Sequence, residues 1–195
     1  MSDRMTPQQR HECMSNIHSK DTLPEQIVRR ELWRRGYRYR LNVRKLPGTP
    51  DIVLGKYRTV IFVNGCFWHG HRDCSKYTVP KTNTEFWKEK IVRNKERDLI
   101  NNQRLEILAW GIITVWECEL SKSKLSDTMD RIESEIHANK AKWEAYNLMR
   151  KENRQFALEQ AKKRREIAAI VEAELNEQLH MSVKLLKALK QEIYY

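Results

Sequence analysis

Cys66, His71 and Cys74 fall within nine residues, and Cys118 follows in the run Trp116-Glu117-Cys118, so the chain carries a Cys₃His set. Soft thiolates with an imidazole favour zinc in a tetrahedron, and two close ligand pairs are a common way to clip a loop to a distant strand. With all four positions filled by protein, such a zinc has no open site. Its work would be structural, holding Phe67, Trp68 and His69 in place. The plainer alternative makes Cys66 and Cys118 small core residues on adjacent strands, with Cys74 exposed. Cys13 has no nearby partner and reads as an ordinary helix residue.

Phe67 and Trp68 are consecutive, and consecutive side chains usually point different ways, so two adjacent aromatics on a clipped loop suit a wedge against nucleic-acid bases. One ring in the core and one shielding the metal is the structural alternative. Asp51 follows Pro50 where a strand begins, and the next strand leads into the cysteine loop, which puts a carboxylate close to His69. A strand-borne carboxylate can hold Mg²⁺ against a scissile phosphate while a nearby base draws a proton from water. Pro-Asp is equally at home in a turn with a capping carboxylate. Glu25, three residues after Thr22, fits a helix capping box, and Asp98 fits a solvated charge run.

The elements that must position these groups are legible as three apolar runs: Asp51 to Leu54, Tyr57 to Val63 and Ile112 to Trp116, rich in β-branched and aromatic residues. Two helices are predicted beside them. One follows Thr22, with Pro24 in its first turn, and stops at Gly36; the other runs from about Thr84 to Leu108, with Trp87, Ile91 and Asp98 close to one face. Strands separated by helices predict an α/β domain ending near residue 120 to 135. All six glycines and five prolines lie at or before Gly111, so residues 141–195 read as long charged helix. There Ile167, Val171, Leu175, Leu179, Leu186 and Ile193 recur every three to four residues or at multiples of that spacing, a stripe that suits either a helical hairpin or dimerisation. The expected division is an N-terminal segment 1–20, a core 21–135 and a helical extension 136–195.

The chain has 195 residues and a net charge of +11, with 22 Lys and Arg against 14 acids in residues 1–120. Such a cation with many aromatic rings favours nucleic acid as partner, since phosphates offer charge and bases offer faces. No apolar run reaches the roughly 20 residues needed to span a bilayer, and the first ten residues are polar without a signal-peptide core. A membrane partner is not expected. The cytoplasm, in association with a bacterial-type nucleoid, is the expected compartment, and its reducing conditions favour metal-bound over disulfide-bonded cysteines.

Taken together, the runs Asp21-Thr22-x-x-Glu25 after Met14, Leu46-Pro-Gly-Thr-Pro-Asp51, Val60-Ile-Phe-Val63, Gly65-Cys-Phe-Trp-His69 and His71-x-x-Cys74 resemble the very short patch repair family of DNA mismatch endonucleases. Pro80-x-Thr-x-Thr-Glu-Phe-Trp87, Lys90, Asn94, Arg97-Asp98 and Val115-Trp-Glu-Cys118 continue the resemblance, which spans residues 8 to about 135. It implies a restriction-endonuclease-like α/β core with a structural zinc site, nicking one strand beside the thymine of a T·G mismatch left by 5-methylcytosine deamination. Asp51 and the backbone carbonyl of Val63 would bind Mg²⁺, His69 would activate water, and Glu25 and Asp98 would hold outer-shell waters. Cys66, His71, Cys74 and Cys118 would bind zinc. Phe67, Trp68 and Trp87 would intercalate from the major groove while the segment carrying Met14 enters the minor groove. The resemblance also suggests a monomer on DNA and cooperation with MutL-type repair proteins.

Two features depart from the family pattern: Asn64 stands where relatives commonly carry His, and the helical tail has no counterpart in the family core. Asn cannot titrate near neutral pH, so His69 would have to suffice as base. A catalytically silent DNA-binding module and a restriction enzyme of the same fold are the alternatives.

Overall fold

The computed structural model describes Thr6, Gln8, Gln9, Glu12 and residues 20–193, with side chains described as far as residue 184. Met14 and Cys13 lie outside the described residues. Helix α1, Leu23–Arg34, begins with the expected capping box. The Thr22 side chain accepts from the Glu25 amide, and the Glu25 carboxylate accepts from the Thr22 amide and hydroxyl. Orphan donors of the first turn are thereby satisfied at both ends of the box. The helix stops at Arg35, and Gly36 follows at φ 88°, where the Tyr37 amide turns back to the Leu32 carbonyl at 2.9 Å.

Four strands form one sheet in the order β1 (Arg40–Leu41), β2 (Ile52–Leu54), β3 (Thr59–Asn64) and β4 (Gly111–Trp116). β1 was not anticipated: two exposed residues carry no alternation, and the strand exists through its pairing with Val53 and Ile52. β2 and β3 are antiparallel. The approach to β3 differs from the expected extended run from Tyr57, since Gly55–Tyr57 is a turn of 3₁₀ helix and Arg58 sits at φ 51°. β3 and β4 are parallel, with Val63 opposite Val115 and Asn64 opposite Trp116. A parallel pair needs a long crossover, here the cysteine loop and helix α2 (Thr84–Ile107).

Side chains alternate across the sheet as period two requires. Ile52, Leu54, Ile61, Ile113 and Val115 face a core completed by Val28 and Leu32 of α1 and by Met129, Ile132 and Ile136 of helix α3 (Leu125–Ile193). Val53 and Val60 face the other way, onto Leu105 of α2 with Phe62, Trp110 and Ile112. The result is a mixed α/β arrangement with helices on both faces of the sheet. The register also fixes the site. Asp51 at the head of β2, Asn64 at the tail of β3 and Trp116 at the tail of β4 reach the same end of the sheet.

One compact unit extends to Glu144 and a second begins at Ala145, and α3 supplies the first with the fully buried Met129, Ile132 and Ile136. The second unit is helical as far as Ile193 with no turn, so the helical hairpin is not formed. Among the described residues no helix is long and apolar enough to cross a membrane.

Candidate active site

The Asp51 carboxylate accepts a 2.8 Å hydrogen bond from the Val63 amide, locking the head of β2 against the tail of β3. Burial pushes the Asp51 carboxyl up to about 6; the Val63 hydrogen bond opposes this, Glu25 adds repulsion, and Arg29 and His69 oppose it. A half-buried carboxylate beside a second carboxylate and a row of backbone groups suits a hard divalent cation with oxygen ligands. These donors fit Mg²⁺.

Beyond β3 the chain turns sharply, with the His69 amide on the Gly65 carbonyl and the His71 amide on the Cys66 carbonyl. Gly70 sits at φ +59° with its α-carbon so close to α2 that a Cβ would stand 2.7 Å from Ile91 and 2.6 Å from Lys95. Only glycine permits both the left-handed backbone and that approach. Pressing the loop onto α2 brings His69 Nδ1 to 2.5 Å from Asp98, and Asn94 Nδ2 donates to the Trp68 carbonyl at 2.9 Å. Burial would raise the Asp98 carboxyl, but its hydrogen bond and charge contact with His69, aided by Arg97, hold it below the ordinary carboxylate value. With Nδ1–H donated to Asp98, Nε2 is the ring nitrogen left to take a proton.

Asp51, Glu25, His69 and Asp98 thus line one cleft of about 830 Å³, together with Val63, Asn64 and Trp68. Glu25 is 3% exposed and serves the capping box while Arg29 Nη2 pairs with it at 2.5 Å. Arg29 also pairs with Asp21. The cap reading of Glu25 and its place beside Asp51 are therefore compatible. Asp98 is engaged with His69 rather than only solvated.

The four predicted soft donors also come together. Ligand atoms of Cys66, His71, Cys74 and Cys118 all lie within 4.8 Å of one another, and Cys118 Sγ is 3.4 Å from His71 Nδ1. A zinc tetrahedron with bonds of about 2.0–2.3 Å needs a cluster of that size. Burial pushes the Cys66 thiol up to about 12, and burial also raises Cys118, whereas the Lys76 amide holds Cys74 below the ordinary thiol value. A soft cation would take the place of the protons that the two raised thiols keep. The donor set fits a metal, and two β-strand ends supply its anchors. Trp116 stacks flat on the His71 ring at 4.1 Å and 2°.

Phe67, Trp68 and Trp87 gather edge to face with centroids 5.2 to 5.9 Å apart, and Phe86 extends the group. Lys90 Nζ lies over three of these rings. Trp68 reaches the cleft while Phe67 and Trp87 do not line it. Sequence reasoning missed Arg29 as the counter-ion of Glu25, and it missed Lys20, Asn101 and Asn102 as cleft residues. Lys90, Asn94, Asp98 and Asn101 recur at three- and four-residue spacing on α2, a signal of one shared helix face that was available.

A cleft with carboxylates, a paired His and basic rims is the equipment of a hydrolase acting on nucleic acid. The family model described as DNA mismatch endonuclease Vsr matches residues 2–76. Type II nicking enzyme V.NmeAIP of Neisseria meningitidis serogroup A is 48% identical over 137 residues, 70% of this chain and 97% of that protein. Type II nicking enzyme V.XorIIP of Xanthomonas oryzae is 46% identical over 62% of this chain and 88% of its own length. DNA mismatch endonuclease Vsr of Escherichia coli strain K12 is 43% identical over 65% of this chain and 81% of its own length. The protein is a DNA endonuclease. The chain belongs to the Vsr family of DNA mismatch endonucleases.

Proposed function

We propose that this endonuclease nicks one strand of duplex DNA beside the thymine of a T·G mismatch produced by deamination of 5-methylcytosine. The observation that carries the reading is the cleft itself, where Asp51 is fixed by the Val63 amide and the His69–Asp98 pair lines the same space. Asp51 and the Val63 carbonyl would hold Mg²⁺, with Glu25 and Asp98 ordering waters around it. When bound, the ion would neutralise the scissile phosphate and lower the cost of forming a hydroxide nucleophile. His69 Nε2 would accept the proton from the attacking water. Asp98 would keep the ring in that tautomer and stabilise the charge it gains. Arg29 pairs with Glu25 in its buried position.

Cys66, His71, Cys74 and Cys118 would hold structural zinc, tying the loop that carries Phe67, Trp68 and His69 to the end of β4. A restriction-endonuclease-like core would be the frame for both metals. Phe67 and Trp68, backed by Trp87, would enter the stack from the major groove, with the Met14 segment in the minor groove. Parting a base step costs a few kcal/mol and costs least at a mispaired step, so the wedge itself would favour T·G. One nuclease unit would act per mismatch, in the cytoplasm and on the nucleoid, and a MutL-type protein would be a partner.

A nicking assay on strand-labelled duplexes that differ only in carrying T·G, T·A or C·G tests this. The expected result is one cut in the thymine strand of the T·G duplex alone. Cleavage of both strands of the paired duplexes would replace the mismatch reading with a restriction enzyme.

A further inference from the structure

Between residues 145 and 183 the helix of the second unit has its charge sorted into two blocks, and Lys184, Lys187 and Lys190 follow them in the sequence. Residues 145–165 hold seven Lys and Arg against two Glu, whereas residues 166–183 hold four Glu and no Lys or Arg. Within each block like charges sit one turn apart: Arg150 with Arg154, Lys162 with Arg165, Glu174 with Glu177. Such i,i+3 and i,i+4 pairs destabilise an isolated helix. Among the described residues the ion pair formed along this stretch is Lys162 to Glu166 at 3.9 Å, at the junction of the blocks.

The same stretch leaves apolar side chains in water. Phe156 and Ile167 are 64% and 62% exposed, with Met149, Ile170, Val171 and Met181 similarly open. At the α-helical rotation these six fall within about 100° of the helix circumference. Helices in proteins draw most of their stability from packing such a face, and this face has no cover within the described residues.

We propose that the tail helix pairs with the tail of a second copy of this chain, antiparallel, so that each basic block lies against the partner's acidic block across a shared apolar stripe. The occupant is chosen by the charge pattern. A parallel pair would set like blocks against each other, while an antiparallel pair sets seven cations per copy against four carboxylates and relieves the repulsion within each helix. The pairing is isologous and closes on itself as a dimer. Duplex DNA suits the basic block alone, and residues 166–183 would repel it.

Sedimentation equilibrium on the full chain at low and high salt reads the pairing, with circular dichroism confirming the helix. The wild-type chain is expected to dimerise at low salt and to dissociate as salt rises. Reversing one block by Glu172→Lys, Glu174→Lys and Glu177→Lys should weaken the dimer about tenfold or more. Adding Arg150→Glu, Lys151→Glu and Arg154→Glu to the same chain should restore it. A monomeric wild type, a dimer indifferent to the first set, or no recovery with the second would each overturn the proposal. So would a chain that stays monomeric while its retention of a paired duplex depends on Arg150, Lys151 and Arg154.

Discussion

Two clusters of polar side chains share one end of the sheet, and they are held in opposite ways. Cys66, His71, Cys74 and Cys118 turn their donor atoms towards one another within 4.8 Å, backed by the flat Trp116 ring. Asp51, Glu25, His69 and Asp98 each already have a protein partner: the Val63 amide, the Thr22 cap with Arg29, and each other. The soft set has nothing left for substrate once a cation fills it. The hard set is arranged around open space, so its charges are poised for something that comes and goes. On the proposed reading, donor chemistry and what each donor is tied to would separate a group that supports the fold from one that supports a reaction.

The largest effect that would break this contrast comes from Asp51. Asp51→Ala should lower nicking of a T·G duplex by about a thousandfold or more, since the proposed cation would lose its main anchor, while binding of the duplex persists in a gel-shift assay. His69→Ala should cost about 10²- to 10⁴-fold in the rate constant measured at saturating enzyme, the range expected for a general base. Cys118→Ser should act on the fold instead. Loss of the clip is expected to cost about 3 to 5 kcal/mol and to lower the melting temperature by about 10 °C, with nicking falling only as the folded fraction falls. A cysteine variant with wild-type melting but no activity would show that the soft cluster works in the reaction.

The smallest effect sharpens the contrast from the side of stability. Asp51 in the Mg²⁺-free protein is raised from its ordinary 3.8 to about 6, mainly by burial, so the folded state favours its protonated form. That contribution is complete below about pH 4 and is lost as pH rises through 6, where the carboxylate must ionise in a buried place. Asp51→Asn keeps an acceptor for the Val63 amide without the charge. Above pH 6 it should be about 1–2 kcal/mol more stable than wild type to urea in chelator, and of equal stability near pH 4. An Asn variant less stable than wild type at pH 7 would contradict the burial account of Asp51.

Much of this contrast is readable from residue order, and the unreadable parts share a cause. The capping box at Thr22 and Glu25, the span of α2 and the Cys₃His set are local patterns, and each is found where the spacing places it. The His69–Asp98 pair joins residues 29 apart through the close approach of Gly70 to α2, which no local pattern encodes. β1 exists only through its neighbour, and Arg29 gains its role from folding beside Glu25 and Asp21. The tail shows the converse. Its helix is a local pattern, legible in a stretch that holds no glycine or proline, and it forms as far as Ile193.

The claim that the two clusters divide structure from chemistry is tested most directly by measuring zinc content and T·G nicking on one sample, before and after Mg²⁺ is supplied. One zinc per chain should persist throughout, with nicking absent until Mg²⁺ is added and abolished again when Mg²⁺ alone is withdrawn. Nicking without Mg²⁺, or full activity in a chain that holds no zinc, would contradict it.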